Sequence, residues 1–266
     1  MSKKGEKRKM KIGVMNDPRK SIIEEIKLIA AGGYDFVDLT LEAPRAQEVE
    51  INLTKKLLDE FNLGIVGHTD PNLPYAYPVK KIREACREEF KRCADIFAQL
   101  GAKIMNIHPC YTCPITMKKN LLDLNLEALS SILETVEDFG LTLVLENFSP
   151  PFDSVATFKK ILRNLPGLKL HLDFGHGNMG REEGIEFCRE FPQEILHVHF
   201  SDNRGYDDQH MPLGVGNIDW KVAIRALKSI NYNGGITLEV FSQEPRVRFK
   251  YLEISRNLVY SFWEEV

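Results

Sequence analysis

Short apolar runs of strand length alternate with longer segments of helical period along the chain from residue 11 onward. The runs that read as strands are 11–16 (KIGVMN), 36–42 (FVDLTLE), 64–70 (GIVGHTD) and 103–109 (KIMNIHP). They continue with 141–148 (LTLVLENF), 168–174 (LKLHLDF), 194–201 (EILHVHFS) and 235–241 (GITLEVF). Helical patterns lie between them at Ser21–Ala31, Val79–Leu100, Leu121–Phe139 and Ile218–Ser229, with a last one around Arg246–Trp263. Several of these helices run into glycine just before the next strand, at Gly32-Gly33, Gly101 and Gly140, as helix ends commonly do. Strict alternation of strand and helix, with no run of hairpins, predicts a parallel sheet covered by helices.

Length sharpens that prediction. Eight units in 266 residues is roughly 33 residues each, the size of a strand, a helix and two short loops. No composition break or linker interrupts residues 11–266, so a single (β/α)8 TIM barrel is expected there, preceded by a basic tail over residues 1–10. An open, doubly wound sheet would carry a Gly-rich nucleotide loop after its first strand, whereas this chain has Asn16-Asp17-Pro18. No nucleotide or organic cofactor is expected.

Composition is that of an ordinary globular protein, 43% hydrophobic and 27% charged, and no apolar stretch approaches the roughly 18–20 residues that span a bilayer. The start of the chain is basic but lacks an apolar core segment, so a secretory signal is not expected and a cytoplasmic location is. Of 35 basic and 38 acidic residues, five and one fall in residues 1–10, which leaves −7 on the rest. An acidic body lacks the overall footprint of a nucleic-acid binder, although a local basic rim is compatible with it. The five cysteines are expected to be reduced. Cys110-x-x-Cys113 has the spacing of a redox pair or half a zinc site, but a single CxxC defines neither.

The histidines and strand-embedded acids carry the chemical signal. All seven histidines fall on expected strands or in the loops after them, and the C-terminal strand ends of such a barrel build its active site. His68 follows the third strand, His108 the fourth and Glu146 the fifth; Asp173 and His176 follow the sixth, His199 the seventh, Asp208 and His210 lie in its loop, and Glu239 follows the eighth. Glu146 and Glu239 succeed buried apolar runs, where an unpaired charge is expensive, and neither strand supplies a Lys or Arg partner. Imidazoles and carboxylates converging from several strands form a shell for a divalent ion such as zinc, manganese or cobalt. Strand parity puts His171 with Asp173 and His197 with His199, the later member nearer the open end, so His171 and His197 are expected behind the ligands.

The stretches LVLENF, LHLDFGH, LHVHFSDNRGYDDQHMPLGVGNIDW and ITLEVF resemble the xylose isomerase-like barrels, a group that includes sugar isomerases, sugar epimerases and endonuclease IV. The resemblance covers nearly all of the chain after the tail. In the isomerases and epimerases it implies one divalent ion held by Glu146, Asp173, His199 and Glu239, with His176 contacting substrate. The implied reaction is isomerisation or epimerisation of a small sugar or sugar phosphate through a metal-stabilised enediolate, Glu146 and Glu239 exchanging the proton. His210, Arg204 and Glu42 are then candidate substrate contacts, and Gly214-x-Gly216 reads first as a plain turn, with N–H groups offered to an anion as the alternative. Within the same group, endonuclease IV implies a trinuclear zinc site for phosphodiester hydrolysis at abasic DNA. All nine of its ligands have counterparts here, with His68, His108, His176, Asp208 and His210 added to the four above. The −7 body and the DFGH sequence favour the isomerase or epimerase. A barrel that binds metal and ligand without turnover is a third reading, disfavoured by the intact ligand set. Tyr75 and Tyr77 are expected to pack their loop, Trp220 to lie in the core, and Trp263 to seat the C-terminus.

Overall fold

The computed structural model describes residues 10–266 apart from 44, 46, 47 and 181–183, so the expected basic tail lies outside the described residues except for Met10, which is buried. Eight strands close into one parallel barrel in chain order, β1 pairing with both β2 and β8. They are β1 (Lys11–Met15), β2 (Phe36–Leu41), β3 (Gly64–Thr69), β4 (Ile104–Ile107), β5 (Thr142–Glu146), β6 (Lys169–Asp173), β7 (Ile195–Phe200) and β8 (Gly235–Leu238). The helices around them are α1 (Ile22–Ala31), α2 (Ile51–Phe61), α3 (Lys80–Leu100), α4 (Leu121–Glu137), α5 (Val155–Asn164), α6 (Phe174–Met179), α7 (Gly184–Glu190), α8 (Trp220–Ser229) and α9 (Pro245–Glu265). Closure rules out the open doubly wound sheet.

Every expected strand is present, and each stops one to three residues short of the expected C-terminal residue; after β5 and β8 the backbone turns to other partners. After β5 the Phe148 N–H donates to Phe152 O, folding the chain back on itself. After β8 the Glu239 N–H still reaches Phe200 O on β7, but that of Phe241 donates to His210 O in the loop after β7. These departures happen where the ladder gives way to the loops of the C-terminal rim.

Alternation divides each strand between two environments. On β6, Leu170 and Leu172 take one parity and His171 and Asp173 the other; on β7, Val198 and Phe200 alternate with His197 and His199. The apolar parity builds a continuous core with the helices, including Phe90, Phe97, Phe158, Phe187 and Trp220. Gly67 on β3 lets α3 approach closely, since a Cβ there would lie 2.5 Å from the Phe97 ring. In many barrels the interior is filled by Val, Ile and Leu. Here Asp38, His68, Asn106, Glu146, His171, Asp173, His197, His199 and Thr237 are all buried instead.

A buried arginine joins the last unit to the first. Arg248 on α9 pairs through Nη1 with Glu25 Oε2 on α1, donates from Nε to Val240 O at 2.9 Å, and reaches Met15 O through Nη2. Glu25 in turn accepts from the Asp17 N–H at 2.8 Å. Truncating Arg248 leaves Glu25 and two carbonyls buried without their cation. Arg248→Ala should therefore destabilise the fold by about 3–5 kcal/mol, read as a lowered urea midpoint; a shift near zero would contradict this role for the pair.

Candidate metal centre

Parallel register sets the site at one height on the barrel wall. Asp173 and His199 are direct partners across β6 and β7, as are Glu146 and His171 across β5 and β6. Glu239 follows β8 by one residue. His199 is the hub: its Nδ1 lies 3.1 Å from Glu239 Oε2 and 3.9 Å from Asp173 Oδ2, and one donor atom each from Glu146, Asp173 and His199 lie within 4.8 Å of one another. The four residues implied by the resemblance thus come together, all buried.

The acids sit in different environments. Asp173 ends β6 and caps α6, its Oδ1 accepting the His176 N–H at 2.6 Å, while its Oδ2 has no hydrogen-bond partner. Asn147 fixes its backbone, with Oδ1 accepting the Asp173 N–H at 2.7 Å and Nδ2 donating to the Asp173 carbonyl at 2.8 Å. Burial pushes the Asp173 carboxyl up to about 7; His176 pulls it down, while the nearby Glu146 and Glu239 carboxylates raise it further. Glu146 sits among imidazoles: Oε2 is 3.2 Å from His108 Nε2 and 3.1 Å from His171 Nδ1, and accepts from Asn106 Nδ2 at 2.6 Å. Its Oε1 faces His176 Nδ1 at 3.1 Å without hydrogen-bond alignment. Buried oxygens and imidazole nitrogens left without aligned donors, and no Lys or Arg paired with these acids among the described residues, fit a divalent ion bound by Glu146, Asp173, His199 and Glu239.

Further clusters flank this centre, including Asp38 with His68 and His199, and His171 with His197 and His199. His68, His108 and Glu146 offer donor atoms within 4.8 Å of one another. Asp208 Oδ2 lies 3.2 Å from His176 Nε2 and 3.1 Å from His210 Nε2, bridging the two rings. Burial opposes charging His210, but Glu239 and Asp208 hold its pKa up at about 9. His210 adopts a left-handed backbone (φ 45°), which costs a non-glycine residue roughly 1–2 kcal/mol. The ring stands edge-on to Phe241 with centroids 5.2 Å apart.

Above the centre opens a cavity of about 290 Å³, lined by Glu42, His68, His108, Tyr111, Phe148, His176, Asp208, His210, Glu239 and Phe241 among others. That is near the lower end of small-molecule sites, roughly 300–1,000 Å³. Tyr111 and Phe148 stack at 5.6 Å to make one wall. Glu42 is half-buried there and accepts from Thr40 Oγ1 at 3.1 Å. Burial raises its pKa.

Arg204, a candidate substrate contact, is exposed and does not line the cavity. The Gly214 N–H donates to Asp202 Oδ2 at 2.8 Å, beside the Trp220 indole N–H at 3.0 Å, so Gly214-x-Gly216 is a turn held by an aspartate. Cys110 and Cys113 are free thiols. Burial pushes the Cys110 pKa up, away from thiolate reactivity, and its Sγ points at Thr112 O. Tyr75 is buried with its hydroxyl 2.9 Å from Asn125 Oδ1, packing its loop as expected. No helix among the described residues is long and apolar enough to cross a membrane.

The centre also contains residues that inspection of the histidines did not single out. Asp38 on β2 is fully buried; its Oδ2 is 2.7 Å from His199 Nε2, 2.9 Å from His197 Nε2 and 2.8 Å from Thr237 Oγ1. Asn106 on β4 steers Glu146 and lies 3.1 Å from His68 Nε2. The available signal was a polar residue inside an otherwise apolar strand, FVDLTL or KIMNI, the same one that marks Glu146.

Comparison with known proteins agrees with the fold. The family model for the xylose isomerase-like TIM barrel matches residues 26–256. The chain is 28% identical over 252 residues to an uncharacterized protein of Methanocaldococcus jannaschii, covering 88% of this chain and 86% of that one. It is 27% identical over 233 residues to the L-ribulose 3-epimerase of a Methylomonas species, covering 81% and 77%. Among solved structures, a D-tagatose 3-epimerase-like protein superposes with a TM-score of 0.86 at 27% identity, covering 96% of this chain and 99% of that one. With the family model spanning most of its length, the chain belongs to the xylose isomerase-like TIM barrel family.

Proposed function

We propose that this protein is a divalent-metal-dependent sugar epimerase or isomerase with small ketoses as its substrate class. The observation that carries the reading is the meeting of Glu146, Asp173, Glu239 and His199 beneath a small cavity with aromatic walls. The 3-epimerase names of its relatives support the same reaction class. A divalent ion in this shell would polarise a substrate carbonyl and the adjacent hydroxyl oxygen, lowering the cost of the enediolate left by proton removal.

The chain's own residues supply the rest. Glu146 and Glu239 approach from β5 and β8, and one takes the proton from carbon while the other returns it. His176 is held with Nδ1 toward the Asn147 carbonyl at 2.9 Å, which turns Nε2 toward the cavity and Asp208. From there it orients a sugar hydroxyl, and His210 does so from the other side of Asp208. Tyr111, Phe148 and Phe241 give a sugar ring or chain an apolar surface and keep bulk water from the reacting carbon.

A second reading, phosphodiester hydrolysis by a multinuclear zinc site, is favoured by one observation. The His68–His108–Glu146 and His176–Asp208–His210 clusters are both intact beside the main shell. Metal analysis of the purified protein after dialysis separates the two. About one ion per chain is expected, and about three retained ions with incision of abasic duplex would replace the epimerase with the nuclease.

A further inference from the structure

We infer that Asp38 is the positioning residue of the metal centre, fixing His199 so that its Nδ1 lone pair faces Glu239 and Asp173. The inference rests on the metal-site reading above and adds a residue that lies outside the four-ligand set. The two nitrogens of His199 face different carboxylates: Nε2 is 2.7 Å from Asp38 Oδ2, and Nδ1 is 3.1 Å from Glu239 Oε2. The imidazole that binds a metal is neutral and has one N–H, so the environment of the two acids decides where it sits.

Asp38 is enclosed on every side, and its Oδ2 collects three groups at once, from His199, His197 and Thr237. The Thr237 hydroxyl donates its one proton to Asp38 at 2.8 Å, so at 2.9 Å from His197 Nε2 it is the acceptor, which places the His197 proton on Nε2 as well. An oxygen already receiving these donors is an acceptor for His199 too; a lone pair on Nε2 at 2.7 Å would meet it with repulsion. The other side of His199 has the opposite character. Asp173 Oδ2 has no donor, and Glu239 borders the open cavity, so a cation is the group that satisfies them together with a nitrogen lone pair. The acceptor capacity of Asp38 Oδ2 is filled, so that oxygen holds His199 rather than a cation; Asp38 Oδ1 has no hydrogen-bond partner and faces His68 Nδ1 at 3.7 Å. The arrangement is a carboxylate–histidine pair behind a metal, in which the outer acid selects the tautomer and makes the nitrogen a stronger ligand. Asp38 stands on β2 and His199 on β7, so the pair also spans the barrel interior.

The test compares the wild-type protein with Asp38→Asn, which keeps the side-chain volume and removes the charge. Cobalt(II) binding is titrated calorimetrically on the metal-stripped proteins, and histidine tautomers are read from long-range ¹H–¹⁵N correlation spectra of the zinc-loaded proteins. The wild-type His199 is expected to carry its proton on Nε2, and the variant to bind cobalt about 10–100-fold more weakly with a mixed His199 tautomer. A purely structural role would lower the thermal midpoint of the stripped variant without changing cobalt affinity per folded chain. An Nδ1-protonated His199 in the zinc-loaded wild type overturns the inference even if the variant does not fold. Cobalt affinity in the variant within about threefold of wild type overturns it as well. Absence of cobalt binding by the wild type removes the metal-site reading and the inference with it. A wild type that binds beside a variant that binds equally well removes the inference alone.

Discussion

Glu146→Gln and Glu239→Gln should each lower turnover by roughly 10²–10⁴-fold, the usual contribution of a positioned proton-transfer group. Glutamine matches glutamate in size and keeps an acceptor oxygen, so the barrel should fold, but it cannot take a proton from carbon. Glu146 is locked by Asn106, His108 and His171 and cannot be replaced from a neighbouring position without rebuilding that cage. Glu239 has His199 on one side and His210 Nδ1 at 3.7 Å on the other. Because both glutamates are also proposed to hold the ion, metal occupancy has to be measured with turnover. A variant that retains metal and loses turnover reports the proton-transfer role; one that loses both reports ligation. Turnover within a factor of two of wild type in both variants would contradict both roles.

Chelation should have the second large effect. Without a cation the centre holds Asp38, Glu146, Asp173 and Glu239 together in the barrel interior, with several buried atoms lacking an aligned partner. An ion bound only by the folded state adds RT ln(1 + [L]/Kd), about 2.7 kcal/mol at a hundredfold excess over Kd. Stripped protein should therefore lose activity and melt about 5–10 °C below protein in saturating metal, with both restored by manganese or cobalt. An unchanged melting temperature and undiminished activity after exhaustive chelation would count against the centre as described.

Much of the architecture was legible because local and global patterns agreed. Runs such as LKLHLDF and ILHVHF place alternate residues on opposite faces, and the repeated strand–helix unit leaves few topologies. The strand ends were less legible because they depend on distant partners: no local signal reveals that the Phe241 N–H leaves the ladder for His210 O. The candidate ligands were legible as charges after apolar runs. Asp38 obeys the same rule, but it lies in the middle of β2 rather than at its end, so a search of strand ends passes over it. Its role depends on the barrel closing β2 and β7 around one interior, a contact separated by 161 residues. Arg204 shows the converse. Its position in the loop after β7 suggested the site, but the turn around Asn203 and Gly205 leaves its side chain outside the cavity.

The most direct measurement follows deuterium from D₂O into a panel of free ketoses, incubated with the metal-loaded protein and analysed by NMR. Metal-dependent proton transfer between Glu146, Glu239 and a carbon next to a carbonyl predicts incorporation at that carbon with formation of the epimer or isomer, and none with stripped protein. Absence of exchange in every ketose tested, alongside metal-dependent incision of abasic duplex, would contradict the proposed epimerase or isomerase.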